Sequence, residues 1–212
     1  AAGCKTSALL TNMNWVLGRT AGNAVEVDEA VRAMADPASA DERLITICVA
    51  LVGEMLVNSG LIDSPVTARE RARQSLDDGT ALEKFARMVA GLGGPKDFVE
   101  QPQKYLAQAA VVRPVHAERG GFVAAHATRA LGVSIIGLGG GRTQPGAPID
   151  HAVGLSDIAG PGAEVAPQGR PLAVVHAADE AAFEAAAQAV RAAMEVSDDQ
   201  PSPRPLEFHV VR

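Results

Sequence analysis

The sequence predicts an α+β fold, with a mainly helical first part followed by a part built from short strands around one long helix. Three observations carry this. Up to about residue 100 the apolar residues recur at helical spacing behind recognisable start signals. Beyond Tyr105 they gather into short valine-rich runs separated by glycine and proline. One alanine-rich amphipathic stretch, residues 179–194, interrupts those runs. A chain of 212 residues, 47% of them hydrophobic, can bury a substantial core, and its two parts are placed at 1–108 and 109–212.

Taken in order, residues 7–11 read as a strand, which leaves an open sheet edge unless another segment pairs with it. The opening "AAGCKTSALLTNMNWV" has neither an initiator Met nor the charged-then-apolar layout of a leader, so the chain reads as a fragment that begins inside a fold. In "RTAGNAVEVDEAV" and its continuation, Val27, Ala30, Val31 and Met34 mark one face of a helix. Asn23 is placed as its N-cap with Glu26 in capping-box spacing, and Glu26, Asp28 and Glu29 lie where the positive end of the helix dipole favours acids.

After the breaker "ADPASAD", Leu44, Cys48, Leu51 and Met55, flanked by Ile45, Val52 and Leu56, predict a second helix that stops at "NSG". Its apolar face is broad, so deep packing is expected. The apolar run 44–57 is broken by Glu54 and is shorter than the roughly 20 residues a bilayer span needs. Ser64 before Pro65 caps a third helix, and Thr80 with Glu83 starts a fourth that ends at "GLGGP". In the second part, "AAVVRPVHA", "GVSIIGLGGGR", "HAVGLSD" and "PLAVVHA" read as short strands and turns. Residues 179–194 form a helix burying Phe183, Ala186, Ala187 and Val190, and "EFHVV" closes the chain as a strand.

Composition excludes several functions. A net charge of -6 and an aromatic content of 3% provide neither a basic field nor stacking platforms for nucleic acid. Cys4 and Cys48 lack metal-ligand spacing and read as reduced thiols of a cytoplasmic protein, and no membrane span is expected.

Four features of the sequence bear on chemistry. "GLGGGR", residues 137–142, has the small residues of an anion cradle, but it lacks the third glycine of GxGxxG and no GKS or GKT follows; a loop required for tight packing is the preferred reading. "PIDHAVGLSD" sets Asp150, His151, Ser156 and Asp157 close together, yet strand neighbours alternate faces and no GxSxG elbow is present, so a nucleophile triad is rejected. His116 and His176 sit in valine-rich strands without partners at ligand spacing and are read as structural. "GAEVAPQGRPLAVVHA" has the look of a biotinyl or lipoyl hammerhead, but no lysine follows Lys104, which removes a carrier role and leaves the architecture.

With these residues assembled, "TSALLTNMNWVLGRTAGNAVEVDEAV", "EKFARMVAGLGGPKDFVE", "TRALGVSIIGLGGGR" and "IDHAVGLSDIAGPGAEVAPQGRPLAVVHA" resemble, in order and over nearly the whole chain, the C-terminal half of the thymidine phosphorylase / pyrimidine-nucleoside phosphorylase family. The resemblance implies that 1–108 completes the family's α/β phosphorylase domain and that 109–212 is its hammerhead-like domain. It implies reversible phosphorolysis of thymidine to thymine and 2-deoxyribose 1-phosphate in pyrimidine salvage, in a cytoplasmic homodimer.

Phosphate and a pyrimidine nucleoside would be the ligands of the complete enzyme. The family's catalytic and substrate-binding residues lie in the N-terminal half, so none is assigned here and the chain alone is expected to be inactive. No cofactor is required for the chemistry. The resemblance places a monovalent cation, potassium, on the carbonyls of Leu17 and Thr20 and the carboxylate of Glu29. It places Gly139, Gly140, Gly141 and Arg142 beside the cleft as a closure loop, with Arg142 bonding across it or capping a carbonyl. The alternatives are a non-catalytic hammerhead module and a nucleotide-specific phosphorylase of the same superfamily.

Overall fold

The computed structural model describes residues 3–202 and 209–211. In chain order its strands are β1 (Ala8–Leu10), β2 (Ala21–Gly22), β3 (Val111–Val115), β4 (Gly121–His126), β5 (Gly154–Ser156), β6 (Glu164–Val165), β7 (Ala173–Ala177), β8 (Met194–Ser197) and β9 (His209–Val211). Its α-helices are α1 (Asn23–Ala35), α2 (Glu42–Asn58), α3 (Pro65–Asp77), α4 (Thr80–Gly91), α5 (Thr128–Gly137) and α6 (Glu180–Ala193). Every strand pairing is antiparallel, and the class is α+β.

The described residues form two compact units interleaved along the chain. One takes 3–12, 30–104 and 209–211; the other takes 13–29 and 105–202. A cut between 108 and 109 assumes continuous parts. Residues 13–29 instead join the second unit, because β2 pairs with β5 and Trp15 is buried in that unit's core.

In the first unit β1 and β9 pair, Leu9 opposite Val210, so one side of the early strand is covered. Of the closing segment "EFHVV", Glu207 and Phe208 lie outside the described residues. Asp41 caps α2 by accepting the Arg43 and Leu44 N–H groups at 3.1 and 3.2 Å, and Ser64 caps α3 ahead of Pro65. These helices approach closely where α2 has Gly53: a Cβ there would lie 2.8 Å from Arg69 Cγ, and Ala68 and Ala72 of α3 are buried. Small residues on both sides set that distance.

Two local expectations for this unit are corrected. Thr80 is not the cap of α4. Asp78 accepts both the Thr80 N–H, at 3.0 Å, and its hydroxyl, at 2.6 Å, and Gly79 occupies the cap position with φ +78°. A carboxylate is the stronger acceptor, and the Thr80 hydroxyl followed by the Thr80 N–H holds the Asp78 carboxyl below its ordinary range.

The apolar face of α2 is not deeply packed either. Leu51, Val52 and Met55 are 46%, 41% and 68% exposed and Cys48 is exposed, while Ile45, Ile47, Ala50, Gly53 and Glu54 are the buried positions. Periodicity identifies an apolar face; it does not say what covers it.

The second unit is built on the sheet β2-β5-β7-β3, with β6-β4-β8 as a second sheet. Ala173, Val175 and Ala177 of β7 alternate inward with Leu155 of β5, and Phe183, Ala186, Ala187 and Val190 of α6 enter the same core. Pro114, which cannot donate to a ladder, lies on the edge strand β3. Gly22 and Gly154 face each other across β2 and β5. A Cβ at Gly22, whose φ is +136°, would stand 2.7 Å from the Val153 carbonyl oxygen, and one at Gly154 would stand 2.5 Å from that of Ala21.

"GVSIIG" is helical, not a strand. Leu131, Ser134 and Ile135 of α5 are buried at i, i+3 and i+4, so packing overrides the β-branched composition.

Candidate functional site

Glu29 of α1 and the loop that precedes the helix are brought together within the second unit. The Arg19 N–H donates to Glu29 Oε1 at 2.7 Å, and the hydroxyl of the buried Thr20 donates to Oε2 at 2.5 Å. Gly18, with φ +71°, lets the backbone pass: a Cβ there would lie 2.7 Å from Glu29 Oε2.

The loop is fixed from outside as well. The Ile158 N–H donates to the Arg19 carbonyl at 3.0 Å, and the Ala24 N–H, at the start of α1, donates to that of His151 at 3.1 Å. Glu26 accepts the Gly22 N–H at 2.9 Å, four residues back, so the expected capping box on Asn23 does not form and a donor just ahead of the helix is satisfied instead. The Asn23 side chain does something else: its amide donates to the Gly140 carbonyl at 3.3 Å.

The acid-rich start of α1 therefore does two jobs. Glu26 satisfies a helix-end donor, and Glu29 ties the helix to the loop bearing Leu17 and Thr20. A carboxylate oxygen retains lone pairs after accepting one hydrogen bond, so Glu29 keeps acceptor capacity beyond its bonds to Arg19 and Thr20. Among the described residues no group of three His, Cys, Asp or Glu side chains is placed to hold a metal ion. A cation here would rest on one carboxylate and main-chain oxygens.

The glycine loop after α5 has a different use for its donors. The Gly139 and Gly140 N–H groups are spent on the Ile136 and Ile135 carbonyls, at 3.0 and 2.9 Å, and so cannot cradle an anion. A Cβ at Gly140 would stand 2.8 Å from Ile135 Cγ2, and one at Gly141 would stand 2.9 Å from Ile136 Cγ1. These glycines permit tight packing. Arg142 is exposed, and its Nε donates to the Ala147 carbonyl at 3.2 Å.

One pair escaped the sequence. Ser156 Oγ and His176 Nε2 lie 2.8 Å apart, on neighbouring strands β5 and β7. Burial pushes the His176 pKa down, so the neutral ring is favoured. Asp150 and Asp157 serve other groups: Asp150 accepts the Ala152 N–H at 2.9 Å, and Asp157 faces Arg170 at 3.7 Å. The pair follows from the register of two strands 20 residues apart, which no local spacing reveals.

Residues 122–197 match the family model described as the pyrimidine nucleoside phosphorylase C-terminal domain. The matched span begins on β4 and ends on β8, and its terminal residues, Phe122 and Ser197, are cross-strand partners. It lies wholly within the second unit. No helix among the described residues is long and apolar enough to cross a membrane.

Proposed function

We propose that the chain, whose residues 122–197 match the pyrimidine nucleoside phosphorylase C-terminal domain, is the C-terminal portion of such an enzyme, thymidine-preferring, cytoplasmic and dimeric when complete. The reaction is attack of a phosphate oxygen on the anomeric carbon of the nucleoside. The bond to the base breaks, and the base leaves with the electron pair and takes up a proton. An anionic nucleophile and an anionic leaving group both call for positioned cations and donors, which a preceding segment supplies.

The observation that carries this reading is the bare apolar face of α2. Cys48, Leu51, Val52 and Met55 repeat at i, i+3, i+4 and i+7 and are all exposed, and Cys48 and Val52 also line an adjoining apolar pocket of about 300 Å³. A stripe of this kind serves a covering element, and that element is taken to be the catalytic half. On the same reading Leu17, Thr20 and Glu29 hold a potassium ion that steadies the loop before α1. Gly139, Gly140, Gly141 and Arg142 pack beside the closing cleft, which excludes water from the reacting carbon.

The test is phosphate-dependent release of thymine from thymidine, assayed with this chain alone and with the N-terminal half of a family member co-expressed. Turnover is expected only in the mixture, with uridine slower and a nucleoside monophosphate inert. Turnover by the chain alone, or a mixture that neither associates nor reacts, overturns the proposal.

A further inference from the structure

A concavity of the second unit has a chemistry unrelated to nucleoside cleavage. It is an open groove of about 670 Å³ between the turn joining β3 to β4, helix α6 and strand β8. Its floor is apolar, made by the buried side chains of Ala117, Leu172 and Met194. Its rim carries Arg119, Arg191 and Gln188, with Glu118 beside them.

The two guanidinium groups are held differently. Arg119 donates to the Asp198 carboxylate and to the Val196 carbonyl, so its charge is already balanced. Arg191 spends its Nε on a neutral acceptor, the His116 carbonyl at 3.2 Å, which orients the ring of donors without cancelling the charge. Its terminal nitrogens keep the forked edge that matches a carboxylate. Gln188 lies one turn earlier on α6, at i−3, so its amide shares that face.

We propose that this groove binds a small monocarboxylate with a flat apolar body, an aromatic or heteroaromatic acid. The carboxylate meets the Arg191 fork and the Gln188 amide, and the ring lies on the apolar floor. A dianion is disfavoured, because Asp198 is used in balancing Arg119 and Glu118 adds a negative charge at the rim, which leaves Arg191 the one guanidinium without a carboxylate partner among the described lining residues. Among the described residues no Ser, Thr, Tyr or His lines the groove, so these residues offer a sugar no side-chain hydroxyl or imidazole partners. The site is thus distinct in chemistry from one for a nucleoside or a sugar phosphate, and it does not rest on the enzymatic reading.

The experiment is calorimetric titration of the intact chain with benzoate, benzamide, phenyl phosphate and inorganic phosphate. Saturable benzoate binding in the millimolar range or tighter is expected, with each of the other three probes weaker. Arg191→Ala should weaken benzoate about tenfold or more, and Arg191→Lys nearly as much, because lysine keeps the charge and loses the fork. Arg191 also braces the His116 carbonyl, so a second variant guards against misfolding. Gln188→Glu, at an exposed position, should abolish benzoate binding while leaving the circular dichroism spectrum unchanged. Absence of saturation, tighter binding of phenyl phosphate, or benzoate affinity unchanged in Arg191→Ala or Gln188→Glu overturns the proposal.

Discussion

The Thr20 hydroxyl donates to Glu29 Oε2 at 2.5 Å while the neighbouring Arg19 N–H holds Oε1 at 2.7 Å, so one carboxylate closes the loop onto the helix that follows it. The same carboxylate is the only acid in the proposed cation set, so the structural role and the binding role can be separated only by changing charge at constant shape.

Glu29→Gln makes that separation. It keeps one acceptor oxygen, turns the other into an NH2 donor that the Thr20 hydroxyl can accept, and loses the charge that strengthens both hydrogen bonds, so a loss of about 1.5–3 kcal/mol is expected. In the unaltered chain, replacing sodium by potassium at constant ionic strength should raise the melting temperature; in Glu29→Gln the two salts should give the same value. A potassium effect that survives the substitution would remove Glu29 from the cation site.

Gly18→Ala probes the loop from its other side. Alanine at φ +71° is strained, and its Cβ would press on Glu29 Oε2 at 2.7 Å. The expected cost is about 1–3 kcal/mol by urea denaturation. Removing the obstructed partner should lower that cost, so the double variant Gly18→Ala/Glu29→Ala should lose less than the sum of the single losses. Strict additivity would mean that the two residues do not interact.

The exposed stripe of α2 yields an asymmetric expectation. Leu51→Ser with Met55→Ser should change the stability of this chain by only about 0.5 kcal/mol per site, because both side chains already face water. The same pair should abolish association with the proposed catalytic half, the N-terminal half of a family member, in a pull-down. Destabilisation of the isolated chain by several kcal/mol would show that the face is already covered.

Much of this was legible from local pattern. Ser64 and Pro65 announced α3, and the residues expected to be buried on α6 are buried. The failures share a cause. The face of α2 was visible as a stripe, but its environment depends on which elements lie alongside. The α5 segment contains Val133, Ile135 and Ile136, which favour strands, and it is helical because the core of its unit accepts Leu131 and Ile135 from one helical face. At the candidate site, Glu29 could be singled out in the sequence. The resemblance set Thr20 beside it through a carbonyl, but the bonds from the Thr20 hydroxyl and the Arg19 N–H were not legible, because Thr20 lies nine residues away and meets Glu29 only once Gly18 turns the chain. The Ser156–His176 pair depended on strand register in the same way.

That register gives the last prediction, a dependence of stability on pH. Burial places the folded-state pKa of His176 below its ordinary value of 6.5, while the unfolded chain titrates near that value. On acidification the unfolded state therefore binds a proton first, and the slope of unfolding free energy against pH is positive through this window. Above 6.5 both states carry a neutral ring and the histidine imposes no penalty. As the pH falls from 6.5 through the lower folded value, stability is lost, and the loss is complete once the folded ring is protonated too. Urea denaturation at intervals between pH 7.5 and 5 should show this decline, and His176→Gln, which cannot titrate yet can still bond Ser156, should flatten it. An equal decline in the variant would assign the acid sensitivity to other groups.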